Sequence, residues 1–298
     1  MALAAQYAHS ASTICRVLFV AMRASSQTNL QTNRAPCNSV AVWWRTIMMT
    51  VLILVLAGLG AGALNAIAGG GTFLTFPALV WAGVPPIMAN ATATFAALPG
   101  YAGSAWAYRS EIERGGNPPL AHLVGTAIVG GLTGAGLLLV TPEELFSGVV
   151  PWLLLVATVA FAAGPSFVRY LARSGREMSG PAGLALVFVV SVYGGYFNGG
   201  LGIMLLAVFG VIGMTNLHRM NGLKNLMSVV LSVVSVAAWA VAGLIDWGNL
   251  LVVGLSCALG GYVGAVLARR VRNTTLLRLF IVAIGLIMAV VFFMRNPG

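Results

Sequence analysis

Two short stretches of asparagine, glycine and threonine interrupt long apolar sequence, and these residue types could hold a small anion. Their polar and small members are Asn65, Gly69, Gly70, Gly71 and Thr72 in the first stretch, and Asn198, Gly200 and Gly202 in the second. Glycines that open a helix leave backbone N–H groups free, and these groups bind anions together with the positive end of the helix dipole. Small residues also let membrane helices pack closely, which is the alternative role of both stretches.

Both stretches break apolar segments at corresponding places in the two halves of the chain. Freed backbone groups persist at membrane depth only where they line a cavity or meet a ligand. Paired breaks of this kind are the usual sequence indication of a transporter's binding site. We therefore predict one polar site to which both breaks contribute.

Six more polar residues lie in the apolar segments that follow the breaks: Asn90, Thr92, Thr94, Asn221, Lys224 and Asn225. Their side chains can donate hydrogen bonds to a substrate, although asparagines also join membrane helices to one another. Lys224 is the most specific candidate of the six, because an ionisable residue inside a membrane segment usually has a functional role. Its alternative role is to extend the ammonium group to the membrane surface. We predict that all six contact the substrate.

The patterns of catalytic and metal sites are missing from the sequence. There is no HExxH, no GxxxxGK[ST] and no Ser–His–Asp constellation, and the three cysteines form no CxxC pair. An ATP-driven pump is excluded for this chain, and we predict no catalytic residue, no metal and no cofactor.

The composition is that of a membrane protein. Charged residues make up 7% of the chain and hydrophobic residues 59%, with a mean hydropathy of +0.94, whereas soluble proteins carry about a quarter charged residues. The formal charge of +10 comes from arginines at segment ends and in short loops. That is the positive-inside pattern, which orients helices and does not indicate a nucleic-acid partner.

Ten apolar segments form two series of five, so the predicted fold is an all-α integral membrane protein. The segments are residues 47–67, 72–82, 87–108, 120–140 and 149–171, followed by 181–197, 203–212, 221–241, 249–268 and 275–294. Asn65 matches Asn198, Gly71 matches Gly202, and Asn90 matches Asn221, which indicates an internal repeat with a broken or half helix at each glycine motif. An odd number of crossings inverts the second half, and the loop charges favour this arrangement. If the short segments dip in and return, four crossings per half make the halves parallel.

The predicted organisation has four parts. Residues 1–46 are basic and polar, and we interpret them as a disordered or artefactual extension. Residues 47–171 form the first transmembrane repeat, residues 172–180 a basic cytoplasmic loop, and residues 181–294 the second repeat.

At these motifs the chain resembles the sulfite exporter TauE/SafE family of bacterial inner-membrane permeases. The resemblance covers about residues 48–294 and is carried by residues 65–77, 83–85, 89–92, 193–205 and 221–225. It implies a multi-pass protein of the bacterial inner membrane that moves small sulfur-containing anions such as sulfite or sulfonates.

We predict a secondary transporter of small anions, with sulfur oxyanions or organosulfonates as the predicted substrates, that works by alternating access around a mid-membrane site. Its partners are the anion, the lipid bilayer and a coupling proton or other ion, and the oligomeric state stays open. A passive anion channel and a membrane-embedded enzyme or assembly factor are the alternatives. Saturable counterflow would distinguish a carrier from a channel, and clustered His, Cys or carboxylate residues would indicate the enzyme.

Overall fold

The computed structural model describes residues 37–67, 70–112, 118–174, 180–268 and 274–295. Within these ranges the protein consists of α-helices and one 3₁₀ turn at Arg109–Glu111, without a β-strand, which confirms the all-α class. The helices are α1 (Cys37–Ile67), α2 (Thr72–Trp81), α3 (Pro86–Ala107), α4 (Leu120–Val140), α5 (Glu143–Ser174), α6 (Pro181–Tyr196), α7 (Leu201–Val211), α8 (Leu217–Val241), α9 (Trp247–Ala268) and α10 (Thr274–Arg295).

Most helices begin and end within a few residues of the ends of the predicted apolar segments. The helices that begin earlier have polar residues in their first turns. Helix α5 begins at Glu143 instead of residue 149, because carboxylates in a first turn are stabilised by the helix dipole although they are not apolar. Helix α1 begins at Cys37, so residues 37–46 are helical where we expected an extension. Residues 1–36 lie outside the described part of the chain.

Five helices in the described ranges are long and apolar enough to cross a membrane: Trp44–Asn65, Leu120–Val140, Glu143–Gly164, His218–Val241 and Trp247–Gly264. Helix α3 is absent from this set although it has 22 residues. Its first turns carry Asn90, Thr92 and Thr94, and these side chains are almost completely buried. The other helices therefore bury the N-terminal half of α3, whereas Trp106 near its C-terminus is 69% exposed.

Helices α2 and α7 are short, with 10 and 11 residues, and a glycine with positive φ lies two residues before α2 and directly before α7. Gly70 has φ of 93° and Gly200 has φ of 75°, a conformation that only glycine adopts without strain. Residues 68–71 between α1 and α2 are called the first break here, and residues 197–200 between α6 and α7 the second break. The chain turns sharply at both, since Leu74 of α2 packs back against Gly60 and Leu201 of α7 against Gly194.

Two helix pairs pack so closely that glycine is required at the contacts. A Cβ on Gly62 of α1 would overlap the Cys257 carbonyl of α9, and one on Gly260 of α9 would overlap the Leu59 carbonyl of α1. Helices α4 and α6 meet in the same way, because a Cβ on Gly134 would overlap the Val192 carbonyl. Such contacts are typical of helix association in membranes.

The two ends of α3 lie at opposite faces of the helix bundle. At its N-terminus, Ile87 N–H donates to Glu143 of α5 at 3.2 Å, and one turn later Thr92 Oγ1 accepts from Asp246 N–H at 3.0 Å. At its C-terminus, Tyr108 stacks on His218 at the start of α8. Helix α8 therefore runs antiparallel to α3.

Candidate functional site

Asn198 in the second break has no hydrogen-bond partner for its side chain among the described residues. Asn198 is 2% exposed, and neither its amide oxygen nor its amide nitrogen has a hydrogen-bond partner in the described protein. A buried amide without partners is costly, so in native proteins such a group calls for a specific explanation. The Asn198 amide is therefore a candidate ligand contact.

The backbone around Asn198 is held by side chains on both sides of the break. The Tyr193 hydroxyl donates to the Gly199 carbonyl at 2.6 Å. Asn90 Nδ2 of α3 donates to the Tyr196 carbonyl, which the end of α6 leaves free, at 3.0 Å. These bonds satisfy freed carbonyls, as a break at membrane depth requires, and they fix the position of Asn198.

The first break is closed by its own asparagine. Asn65 Oδ1 accepts a hydrogen bond from Gly71 N–H at 2.7 Å, which uses one of the donors that a ligand would need. A Cβ on Gly71 would overlap the Ala61 carbonyl, and one on Gly70 would lie 3.2 Å from the Phe161 ring. Both glycines are therefore tightly packed on these sides. Gly69 lies outside the described residues.

Helix α2 reaches from the first break to the second. Phe76 packs edge-on against Phe197, with 5.6 Å between ring centroids. Thr72 and Thr75 share the Phe76 face of α2 by their helical spacing, are buried, and have hydroxyl groups without partners. The same helix therefore carries two unpartnered hydroxyls between the first break and the Phe76–Phe197 contact, and Thr75 was not among the predicted residues.

Lys224 of α8 lies against the start of α7. It is 8% exposed, and its methylene carbons lie 3.3–3.8 Å from the position that a Cβ would occupy on Gly202. No carboxylate in the described part of the chain pairs with it. Asn225 is likewise buried, whereas Asn221 is half-buried. The cation is thus brought to the first turn of α7, where helix N–H groups already favour an anion.

The predicted contacts on α3 have partners within the protein. Asn90 bonds the Tyr196 carbonyl, Thr92 accepts from Asp246 N–H, and Thr94 donates to the Asn90 carbonyl at 2.8 Å. These three side chains stabilise the helix and its loop contacts. That they contact the substrate stays a prediction.

Tyr101 of α3 is a candidate that the sequence reasoning missed. Its side chain is 7% exposed and interacts with the Asn198 side chain, without completing a hydrogen bond to the amide. A tyrosine in an apolar helix usually indicates packing. The signal that could have found it is the spacing of Asn90, Thr94 and Tyr101, which recur on one helix face.

Helix α8 continues the polar face beyond Asn225. Ser228, Ser232 and Ser235 are each buried, and their hydroxyls have no hydrogen-bond partner in the described protein. Their spacing of four and three residues keeps them on the Lys224 face. Serine is common in membrane helices, so its regular spacing was the only sequence signal.

No group of three His, Cys, Asp or Glu side chains in the described ranges could hold a metal ion. A cavity of about 320 Å³ lies elsewhere, at the end of α2, and is lined by Val80, Gly83, Val84, Pro85, Pro86, Ser147 and Phe292. It contains none of the unpartnered polar groups.

The profile of the family described as "Sulfite exporter TauE/SafE" matches residues 54–292, which include both breaks and every described candidate residue. The chain belongs to the sulfite exporter TauE/SafE family. This membership establishes a multi-pass cell-membrane transporter and not an enzyme, and it confirms the resemblance seen in the sequence.

Two curated relatives agree with the family. A "Probable membrane transporter protein ORF9" of Sinorhizobium sp is 28% identical over 71% of this chain and 80% of its own length. A "Probable membrane transporter protein" of Haemophilus influenzae is 28% identical over 79% of this chain and 91% of its own length. No solved structure matches the chain.

Proposed function

We propose that this TauE/SafE member is a secondary carrier of small anions whose substrate binds at the second break. The observation that carries the proposal is the Asn198 amide, which is buried with both polar atoms unpartnered. It lies three residues before the start of α7, and the stem of Lys224 packs on that same start. An amide donor, a helix N-terminus and a buried cation together suit an anion.

The substrate class follows from chemistry and family together. Buried neutral donors and one cation, with no buried carboxylate among the described residues, suit an anion with several acceptor oxygens. The family description names sulfite. Sulfur oxyanions and organosulfonates therefore remain the proposed substrates, with a proton or another ion as the coupling partner.

Alternating access requires two halves that can exchange roles, and the proposed basis is an inverted internal repeat. Gly70 and Gly83 flank α2, and Gly200 and Gly213 flank α7, with positive φ at all four and the same interval in each pair. The ends of both helices also carry the same hydrogen bonds: Val84 N–H to the Leu79 carbonyl and Met214 N–H to the Phe209 carbonyl.

The directions of the helices support inversion over a parallel repeat. Helices α3 and α8 each follow a short helix in the proposed repeats, and they run antiparallel. In the same way α1 packs on α9, and its proposed counterpart α6 packs on α4, the proposed counterpart of α9. Such reciprocal contacts are expected of any two repeats related by a two-fold axis, and the antiparallel run of α3 and α8 is what favours an axis in the membrane plane.

A transport screen tests the proposal. The purified protein is placed in liposomes and supplied with sulfite, thiosulfate, sulfoacetate or formate, with and without a pH gradient, and protein-free liposomes are the control. We expect saturable, protein-dependent uptake of at least one of these anions. Uptake that rises linearly with concentration would instead indicate a passive channel, and no uptake of any anion would contradict the proposed function.

A further inference from the structure

Helix α8 carries a row of buried hydroxyl groups that have no partner among the described residues. Ser228, Ser232 and Ser235, called the serine row here, are 1–2% exposed, and no hydrogen bond reaches their hydroxyls. A serine or threonine inside a helix can satisfy its hydroxyl with the carbonyl four residues earlier. Hydroxyls in other helices of this protein make that bond, namely those of Thr94, Thr133, Thr158 and Ser256. The hydroxyls of the serine row are therefore candidate donors for a ligand.

The serine row begins beside the cation of the proposed anion site. Helical spacing places the three serines on the Lys224 face of α8, and Ser228 is one turn from Lys224. The stem of Lys224 packs on Gly202 in the first turn of α7. The row therefore extends a polar face that already reaches the start of α7.

The first serine also lies at the depth of the second break. Helices α3 and α8 are antiparallel, and Tyr108 of α3 lies against Gly222 of α8. Tyr101 is about two turns before Tyr108, and Ser228 is about two turns after Gly222, so both lie at one level of the bundle. Since Tyr101 interacts with the Asn198 side chain, this level is that of the second break.

From this level the row leads toward the end of α8 that precedes Asp246. Seven residues separate Ser228 from Ser235, so the hydroxyls extend over about 10 Å of helix. Trp239 lies one turn further on the same face. It is completely buried, and its indole nitrogen donates to the Ala135 carbonyl of α4 at 3.4 Å. The row thus ends at a large buried side chain.

We infer that the serine row lines the path by which the anion passes between the second break and the Asp246 end of the bundle, an inference that rests on the carrier proposed above. A hydroxyl group can donate to any oxygen of a passing anion. Passage requires several weak sites in succession, because a tight site would retain the anion. The three serines are buried in the described conformation, so the path is closed there and opens during alternating access.

Chemical labelling of single cysteines tests whether water and anions reach the row. The three native cysteines are first replaced by alanine in the full-length protein, and one serine at a time is then changed to cysteine. The variants are Ser228→Cys, Ser232→Cys and Ser235→Cys. The protein is placed in liposomes, and the membrane-impermeant sulfonate reagent 2-sulfonatoethyl methanethiosulfonate is supplied on both sides.

Leu223→Cys and Met227→Cys are the matched controls. Both residues are as buried as the serines and belong to an apolar cluster, and each directly precedes a residue of the Lys224 face. We expect the cysteines of the row to react at least about tenfold faster than both controls, because the reagent attacks a hydrated thiolate. Equal rates together with saturable transport would overturn the inference alone, whereas absence of transport for every anion would overturn the proposed function and the inference with it.

A variant that fills the row tests the inference in a protein with its native cysteines. Ser232→Leu should slow counterflow by at least about tenfold, because an overfilled path raises the barrier to passage. Its anion affinity should stay within about threefold of wild type. Val233→Leu changes the adjacent position, which is 47% exposed, and should transport like wild type. Wild-type counterflow in folded Ser232→Leu contradicts the inference, and if this variant fails to fold, the labelling rates decide.

Discussion

At the scale of single residues, the two breaks differ in how their asparagines are used. Asn65 accepts a bond from Gly71 N–H, whereas both amide atoms of Asn198 are unpartnered. The sequence pattern indicated both asparagines as substrate contacts and gave no reason to distinguish them. It could not separate them, because the partner of each amide depends on the path of the backbone through the break.

This difference predicts a loss of stability for one asparagine and little change for the other. Asn65→Ala removes the acceptor for Gly71 N–H and should lower the melting temperature in detergent by about 2–4 °C, since a lost cap costs about 1 kcal/mol. Asn198→Ala removes an amide that makes no bond and should leave the melting temperature within about 2 °C of wild type. Thermal unfolding of the two variants side by side checks this, and a larger loss for Asn198→Ala would contradict the assignment.

Lys224 carries the second residue-scale prediction. Lys224→Met keeps the length of the side chain and removes the charge, so anion affinity should fall by about 1–3 kcal/mol, the scale of a charge-assisted hydrogen bond. Lys224→Arg should retain more affinity than Lys224→Met, although its planar head needs more space. Titration calorimetry at matched folding measures both, and wild-type affinity in Lys224→Met would remove this residue from the site.

At the scale of helices, apolar length predicted the architecture well. Helix α4 begins and ends at the predicted residues, and α2, α7 and α9 differ by a residue or two. The sequence did not reveal that other helices bury the N-terminal half of α3, because the many alanines and threonines of this helix make it a weakly apolar segment. It also did not show which glycines mediate helix packing, since that depends on the partner helix.

Helix α4 offers a matched test of glycine packing. A Cβ on Gly134 would overlap the Val192 carbonyl of α6, whereas a Cβ on Gly136 meets nothing within 4 Å. Gly134→Ala should therefore destabilise the protein by about 1–3 kcal/mol through overpacking. Gly136→Ala should be neutral or stabilising, because alanine favours the helix by about 0.5–1 kcal/mol. Thermal unfolding checks both, and equal effects would refute the close α4–α6 contact.

At the scale of the whole molecule, the positions of the charges orient the protein. Arg109 and the start of α8 lie at one end of α3, and Glu143 and Asp246 lie at the other. By the positive-inside rule we expect the arginine end to be cytoplasmic. Phe292 near the end of α10 lines a cavity with Ser147 of α5, close to the Glu143 end.

This orientation predicts a C-terminus outside the cytoplasm. Alkaline phosphatase fused after Gly298 should be active, and green fluorescent protein fused at the same position should be non-fluorescent. The pair fused in the short loop after Arg109 should give the reverse result. A fluorescent C-terminal fusion would contradict the orientation, and it would also remove one support for the inverted repeat.

The central claim is that a carried anion binds at the second break and not at the first. Its most direct test is substrate counterflow in liposomes, with wild type, Asn198→Ala and Asn65→Ala compared at equal amounts of folded protein. We expect saturable counterflow, a half-saturating concentration about 10- to 100-fold higher in Asn198→Ala, and a wild-type value in Asn65→Ala. A wild-type half-saturating concentration in Asn198→Ala, or a rise only in Asn65→Ala, would contradict the claim.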